Sequence, residues 1–320
     1  MGTCTSVQAN PHSRIIDKEL KKEKKALTKR YKFILLGAGG VGKSTIFKQL
    51  KLLHNGGFTK TERFTARLII HDNIIANLEK LVLAASSNGL KLNLIKITES
   101  LQRMKRRGKL NAAKLTALWE SAHIMLMWNH YVSPKEYNNL DYFMSRIGEI
   151  SSPEYIPNND DILHLRHATT GILEQTFEHD KKTFNVVDIG GDRSERKKWE
   201  LVFHEVDVVI FIIDLMDVDS AKQAESVLLF SKLTQESLLQ NSHWVLFLNK
   251  VDLFSNKFTS EKKKNEAIRK IENEYKKTFA SKNSSLYTFV TCAVDTEYVD
   301  KVIKSVEDRV IVSGLTSMMM

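Results

Sequence analysis

"YKFILLGAGGVGKST", residues 31–45, decides the fold prediction. An apolar run of strand length enters a glycine-rich turn, and a helix is expected from Ser44 onward. Gly37 to Ser44 match the pattern G-x-x-x-x-G-K-[ST]. In such a loop, glycines let backbone N–H groups face phosphates, the lysine reaches the β- and γ-phosphates, and the hydroxyl binds Mg²⁺. The stretch therefore predicts a phosphate-binding loop between a buried strand and a helix.

The same glycines leave a second interpretation open. Gly37, Gly39 and Gly42 also satisfy G-x-G-x-x-G, the dinucleotide-binding pattern of nicotinamide-dependent oxidoreductases. That pattern needs an acidic ribose ligand soon after the first helix, and Glu62 is the nearest candidate. An oxidoreductase is therefore an alternative function.

Four further apolar runs of strand length follow: "KTFNVVDIGG", "VDVVIFIIDL", "HWVLFLNK" and "LYTFVTCAV". Helix-like segments separate most of them, which predicts an α/β domain with a largely parallel sheet. From 58 to 159 apolar residues recur at three- and four-residue spacing without a strand, which predicts an inserted all-helical domain. The predicted limits are 1–30 for a basic N-terminal helix, 31–57 with 160–320 for the α/β domain, and 58–159 for the insertion.

Charge and the first residues point to a membrane surface. The formal net charge is +10, and residues 1–30 hold eight Lys and Arg against three Asp and Glu. "MGTCTS" fits the M-G-x-x-x-[ST] pattern for myristoylation at Gly2, with Cys4 placed for palmitoylation. Two cysteines in 320 residues fit a reducing, cytosolic setting. No module with interleaved aromatic residues is present, so we expect no nucleic-acid partner.

Two segments near the end of the chain predict recognition of guanine. "NKVD", Asn249 to Asp252, ends a buried strand, and its aspartate can accept hydrogen bonds from the N1–H and 2-amino groups of guanine. Asn249 would brace the loop, and the Lys250 stem would cover the base. In "TCAVDT", residues 291–296, the Ala293 N–H could bind guanine O6. An oxidoreductase explains neither segment.

Together these motifs resemble the α subunit of a heterotrimeric G protein. "GAGGVGKST", "DILHLRHATTGI", "DIGGDRSERKKW", "FLNKVDLF" and "TCAVDT" occur in that family's order, and "YIPNNDDIL" resembles its return from the helical domain. The resemblance covers nearly the whole chain. It implies a Ras-like P-loop GTPase domain with an inserted helical domain, binding GTP or GDP with Mg²⁺.

The resemblance also implies a role for each site residue. Arg166, Asp192 and Lys43 would be catalytic, with Arg166 as an arginine finger supplied in cis. Mg²⁺ would be held by Ser44 and Thr169, and by Asp188 through a water. The nucleotide would be bound by Gly39, Gly40, Val41, Gly42, Lys43, Ser44, Thr45, Leu163, His164, Arg166, Gly191, Asn249, Lys250, Asp252, Cys292 and Ala293. Asn138 and Asn139 are candidates for contacts from the helical domain.

Two departures from the family pattern affect these roles. Asp192 stands where the family has a glutamine that orients the attacking water. An ionised aspartate cannot donate a hydrogen bond, and it adds negative charge beside a polyanion, so we expect slow hydrolysis. Gly40 and Val41 replace the usual Glu-Ser, which removes a carboxylate that pairs with the arginine-bearing loop. We therefore expect weak clamping and rapid release of GDP.

The leading hypothesis is a GTP/GDP switch in transmembrane-receptor signalling with low GTPase activity. An adaptor that binds GTP and barely hydrolyses it is the alternative from a different functional class. By resemblance, the partners are a βγ dimer, a seven-helix receptor or other exchange factor, effectors and an RGS-type activator. The expected location is the cytoplasmic face of the plasma membrane, with the protein peripheral and held by acyl chains.

Overall fold

The structure is a computed structural model that describes residues 30–90, 93–131, 137, 139–179, 182–280 and 285–317, with side chains to residue 308. The predicted N-terminal helix, except Arg30, lies outside these residues, as do both lipidation candidates, Gly2 and Cys4.

Six strands form one sheet within the described residues. They are β1 (Arg30–Leu36), β2 (Ile172–His179), β3 (Lys182–Ile189), β4 (Val208–Asp214), β5 (His243–Asn249) and β6 (Leu286–Thr291). Their order is β2-β3-β1-β4-β5-β6, and every neighbouring pair except β2 with β3 is parallel. The central strands are apolar along their length because both faces of a parallel sheet are covered by helices.

The described α-helices, in chain order, are α1 (Lys43–His54), α2 (Lys60–Ser87), α3 (Leu94–Arg107), α4 (Ala112–Trp119), α5 (Ala122–His130), α6 (Leu140–Ser145), α7 (Ile147–Ile150), α8 (Asn159–His164), α9 (Ala221–Leu233), α10 (Val251–Ser255), α11 (Glu261–Thr278) and α12 (Thr296–Ser317). Helices α1 and α12 pack on one face of the sheet, and α9 and α11 pack on the other. This arrangement confirms the predicted fold class.

Helices α2 to α7 surround a hydrophobic core of their own. No buried side chain of this cluster belongs to either cluster that covers the sheet. Helix α2 begins with a capping box in which Thr59 and Glu62 satisfy each other's backbone N–H groups. Ile162 and Leu165, at the return to the sheet, also belong to the helical core. The segment that carries Arg166 is therefore anchored in the helical body.

Strand β2 is the one sheet element that the sequence analysis did not predict. It lies at the edge of the sheet and pairs with β3 from Ile172↔Ile189 to His179↔Lys182. Of its eight residues only Phe177 is buried, so the strand lacks the apolar run that revealed the others. Among the described helices, none is long and apolar enough to cross a bilayer.

Candidate nucleotide-binding site

The carboxyl ends of the parallel strands bring the predicted motifs to one edge of the sheet. The glycine loop follows β1, and its backbone demands glycine at the first position. Gly37 has φ +139°, and a Cβ there would overlap the Ile212 carbonyl oxygen of β4. Helix α1 begins at Lys43 directly after the loop, so its N-terminal N–H groups face the same cleft.

Lys43 lies under this loop and is buried. Its Nζ donates hydrogen bonds to the carbonyl oxygens of Gly37, at 3.0 Å, and Ala38, at 2.9 Å. Burial lowers the pKa of Lys43 to about 8, and the nearby carboxylates of Asp188 and Asp192 oppose that shift. A cation stripped of water in this position is suited to contact phosphate oxygens.

An oxygen-only cluster lies beside Lys43. Ser44 Oγ is 2.5 Å from Thr169 Oγ1, which donates to Asp188 Oδ2 at 3.4 Å. Asp188 is fully buried, and its Oδ1 has no hydrogen-bond partner among the described residues. Burial raises the pKa of the Asp188 carboxyl, and Lys43 partly opposes this. Hydroxyl and carboxylate oxygens are the donors that Mg²⁺ prefers, so these residues fit the predicted ion.

The backbone before Arg166 is held by side chains from several helices. From α1, Lys48 Nζ donates to the carbonyl oxygens of Ile162, at 2.9 Å, and Leu165, at 2.8 Å. Burial lowers the pKa of Lys48 to about 8. Leu165 is itself buried in the helical core. Lys48 therefore ties the phosphate-loop helix to the segment that presents the arginine.

Two amides of the helical body complete this support. Asn73 of α2 donates to the Arg166 carbonyl at 2.8 Å, and Asn139 donates to the His164 carbonyl at 2.8 Å. The His164 ring also stacks on Tyr142 with ring centroids 4.0 Å apart. Asn138, the other predicted contact, lies outside the described residues.

Two side chains of opposite charge cover the glycine loop. A Cβ built on Gly40 would lie 2.7 Å from Nη2 of Arg166, so the guanidinium occupies the space that a side chain would need. A Cβ on Gly39 would overlap Oδ1 of Asp192. Asp192 is exposed, yet its carboxylate lies against the phosphate loop rather than pointing away from it.

The guanine end of the cleft is built on Asn249, which is fully buried. Its Nδ2 donates to the Val41 carbonyl at 2.7 Å. Its Oδ1 accepts from the Ala293 N–H at 3.0 Å and from the Thr291 hydroxyl at 3.1 Å. Asn249 therefore braces three loops. The Ala293 N–H predicted for guanine O6 is already donated to this oxygen.

Lys250 and Asp252 complete the "NKVD" segment. Lys250 Nζ donates to the Gly40 carbonyl at 2.9 Å and forms an ion pair with Asp214 at 2.9 Å. Asp252 is exposed at the cleft. Burial raises the pKa of Cys292 to about 11, and the Asp252 charge adds to the shift. Cys292 is therefore a neutral thiol.

These segments enclose a cleft of about 250 Å³. Of the predicted site residues it is lined by Gly39, Gly40, Gly42, Lys43, Ser44, Thr45, Asn139, Leu163, His164, Arg166, Thr169, Gly191, Asp192, Asn249, Lys250, Asp252 and Ala293. Among the described residues, three predicted ones do not line the cleft: Val41, Cys292 and Asp188. The Val41 side chain packs into the core, and Asp188 is fully buried. Other lining residues were not predicted: Lys48, Leu165, His167, Ala168, Leu253 and Val294.

The structure gives Glu62 a different role from the ribose ligand that an oxidoreductase requires. Glu62 caps α2 and forms an ion pair with Lys51 of α1. It does not line the cleft. The oxidoreductase alternative therefore has no acidic ligand at the position where it needs one.

A family model for the G-protein alpha subunit matches residues 10–310. The chain belongs to this family. It is 32% identical to the guanine nucleotide-binding protein alpha-2 subunit of Caenorhabditis elegans, over 98% of each chain. It is 31% identical to the alpha-7 subunit of Caenorhabditis briggsae over 99% of each, and 30% identical to the alpha-1 subunit of Caenorhabditis elegans over 98% of each.

Membership makes the chain a guanine nucleotide-binding signalling subunit, and members of the G-protein alpha subunit family are in general GTPases. Family members bind GTP or GDP and work with βγ dimers, receptors and effectors. At this level the recognition, the bound nucleotide and the function predicted from the sequence are confirmed. In this member, the Arg166 guanidinium covers the phosphate loop at Gly40, and the Asp192 carboxylate covers it at Gly39.

Proposed function

We propose that the chain is a GTP/GDP switch in transmembrane-receptor signalling that hydrolyses GTP slowly. The observation that carries the proposal is the common cleft. Five segments that are distant in sequence line it, from the glycine loop to "TCAVDT".

For hydrolysis, Lys43 would contact the β- and γ-phosphates. Arg166 would spread negative charge off the transition state, because its guanidinium already lies over the loop that cradles the phosphates. Ser44 and Thr169 would hold Mg²⁺, with Asp188 acting through a water. When bound, the ion would neutralise charge on the phosphate oxygens.

Asp192 supports the slow rate. Its carboxylate lies against Gly39, so it would face the terminal phosphate of bound GTP. The negative carboxylate would repel the negative terminal phosphate in a partly water-excluded cleft. An ionised carboxylate also cannot donate a hydrogen bond to the phosphoryl group. The same placement favours the second candidate, an adaptor that binds GTP with negligible hydrolysis.

Single-turnover hydrolysis of preloaded GTP with Mg²⁺ tests the proposal, comparing the native chain with Asp192→Gln. Asp308→Gln is the matched control, since Asp308 is exposed on α12 away from the cleft. We expect a slow native rate that rises in Asp192→Gln and is unchanged in the control.

Each other result has a distinct meaning. Equal and rapid rates in the native chain and Asp192→Gln would refute the role of Asp192. Tight GTP binding without turnover in either protein would establish the adaptor. Failure to bind GTP would overturn the proposed function as a whole.

The remaining proposals concern exchange, partners and location. Gly40 carries no carboxylate to pair with Arg166, which supports rapid GDP release. We also propose the predicted domain limits, 31–57 with 160–320 and 58–159. The separate helical core supports them, and Ile162 and Leu165 pack into that core from just beyond the second limit. An RGS-type activator, and anchoring to the cytoplasmic face of the plasma membrane through Gly2 and Cys4, follow from the sequence motifs alone.

A further inference from the structure

One stretch of the helical body is densely basic. Residues 94–114 contain seven Lys and Arg and one acidic residue, Glu99, whereas the whole chain has a formal net charge of +10. This stretch comprises α3, a turn at Gly108 and the first turn of α4. All seven basic side chains are exposed.

The fold arranges five of these cations around one concave surface, here called the basic groove. Helix α3 buries Leu101 and Met104 in the helical core, which turns its basic residues outward. Gly108 has φ +59° and ends the helix, so the chain folds back towards α4. The groove has a volume of about 550 Å³, and its cations are Lys96, Arg103, Arg107, Lys109 and Lys114.

Little of this charge is compensated within the fold, because among the described residues Glu99 is the one acidic residue that lines the groove. In the described part of the chain, none of the seven cations forms a salt bridge. Helix α11 is also rich in lysine, but there Lys264 pairs with Glu261 and Lys276 pairs with Glu272. The basic groove therefore differs from an ordinary solvated helix face.

Helix stability accounts for only part of the pattern. Arg107 lies in the last turn of α3, where a cation is favourable near the negative end of the helix dipole. Lys114 lies in the first turn of α4, where a cation is unfavourable for the same reason. Arg103 and Arg107 are also four residues apart on one helix, a like-charge spacing that costs about 0.2–0.5 kcal/mol. Glu99 is four residues before Arg103 and offsets part of this repulsion. Helix stability therefore does not explain why five cations share this surface.

We propose that the basic groove binds a compact, multiply phosphorylated anion, the chemistry shared by soluble inositol polyphosphates and phosphoinositide headgroups. Arginine guanidinium groups form paired hydrogen bonds with phosphate oxygens, and the groove presents two of them with three lysines. Ser100 and Asn111 add uncharged polar groups to the lining. No aromatic side chain lines the groove, so it offers nucleic-acid bases no stacking surface.

The basic groove is separate from the nucleotide site. It shares no lining residue with the nucleotide cleft. Along α3, Lys96 and Arg107 are about 16 Å apart at 1.5 Å per residue, so the cations surround an area larger than one phosphate group. The proposal therefore stands whether or not the proposed GTPase function does.

The test is isothermal titration calorimetry, in which inositol hexakisphosphate is added to the full, GDP-loaded chain and its dissociation constant is measured. The charge-reversing variant is Arg103→Glu/Arg107→Glu. The matched control is Lys262→Glu/Lys263→Glu, which makes the same change in net charge on exposed residues of α11. Circular dichroism melting and GDP binding check that both variants fold. We expect the groove variant to bind the probe at least tenfold more weakly and the control to change by less than about twofold.

Vesicle binding distinguishes the two sources of the anion. Vesicles with a phosphoinositide are compared with phosphatidylserine vesicles of equal total charge. Preference for the phosphoinositide identifies a lipid headgroup, and binding of the soluble probe without that preference identifies a soluble polyphosphate. The proposal is overturned if native binding is absent, or if both variants weaken it equally. Tighter binding of an acidic peptide than of the polyphosphate also overturns it.

Discussion

The contact between Asn73 and the Arg166 carbonyl leads to a quantitative prediction. Asn73→Ala removes a 2.8 Å hydrogen bond between the helical body and the residue whose guanidinium covers the phosphate loop. A hydrogen bond of this kind contributes about 0.5–1.5 kcal/mol net. If that energy is lost from the positioning of Arg166 in the transition state, hydrolysis slows by about 2- to 13-fold.

A double-mutant cycle of single-turnover GTP hydrolysis measures this effect. Because Asn73 acts through Arg166, Asn73→Ala should have almost no further effect in an Arg166→Ala background. Asn88→Ala is the matched control, since Asn88 is an exposed amide at the end of the same helix that bonds only locally, to Ala84. Equal effects of Asn73→Ala in both backgrounds, or an unchanged rate with Arg166 present, would refute this reasoning.

Three further predictions concern stability. Arg146→Ala leaves the buried Asp161 carboxylate without its cation. The free energy of unfolding, measured in urea, should therefore fall by about 3–5 kcal/mol, and a loss below about 1 kcal/mol would contradict this. Asn249→Ala removes three buried hydrogen bonds, so the free energy of unfolding should fall by about 3 kcal/mol. An unchanged melting temperature would show that Asn249 does not brace the loops. A hydrogen bond from Arg193 lowers the pKa of Glu225 from 4.5 to about 2, so Glu225 stabilises the fold above pH 4.5 and loses that effect as the pH falls towards 2. Acidification should therefore lower the free energy of unfolding of the native chain more than that of Glu225→Gln. Parallel plots of unfolding free energy against pH for the two proteins would disprove this prediction.

Much of the fold could be predicted from the sequence because its signals are local. Five strands lie in mainly apolar runs, and the motifs that follow β1, β3, β5 and β6 identify the strand ends at which the cleft forms. Strand β2 was missed because it is held by backbone pairing with β3 while its side chains are mostly exposed. A hydrophobic pattern cannot reveal a strand that buries one residue.

The site was predicted less completely, for a different physical reason. Lys48 and Asn73 reach carbonyl groups 93 to 117 residues further along the chain, and no local pattern specifies such a partner. An amide within the apolar run "LIIHDNIIANL" was a signal that Asn73 has a partner. Val41 shows the opposite error, because it stands inside the glycine motif but its side chain packs into the core.

The separate core of helices α2 to α7 has a consequence for how the protein unfolds. Because that core shares no buried side chain with the clusters on the sheet, each body can open without exposing the interior of the other. Native-state hydrogen exchange should then show two levels of protection rather than one. The cleft is lined by residues of both bodies, so a bound nucleotide would contact both cooperative units. Nucleotide binding should therefore raise the exchange protection of both units as the nucleotide concentration exceeds the dissociation constant.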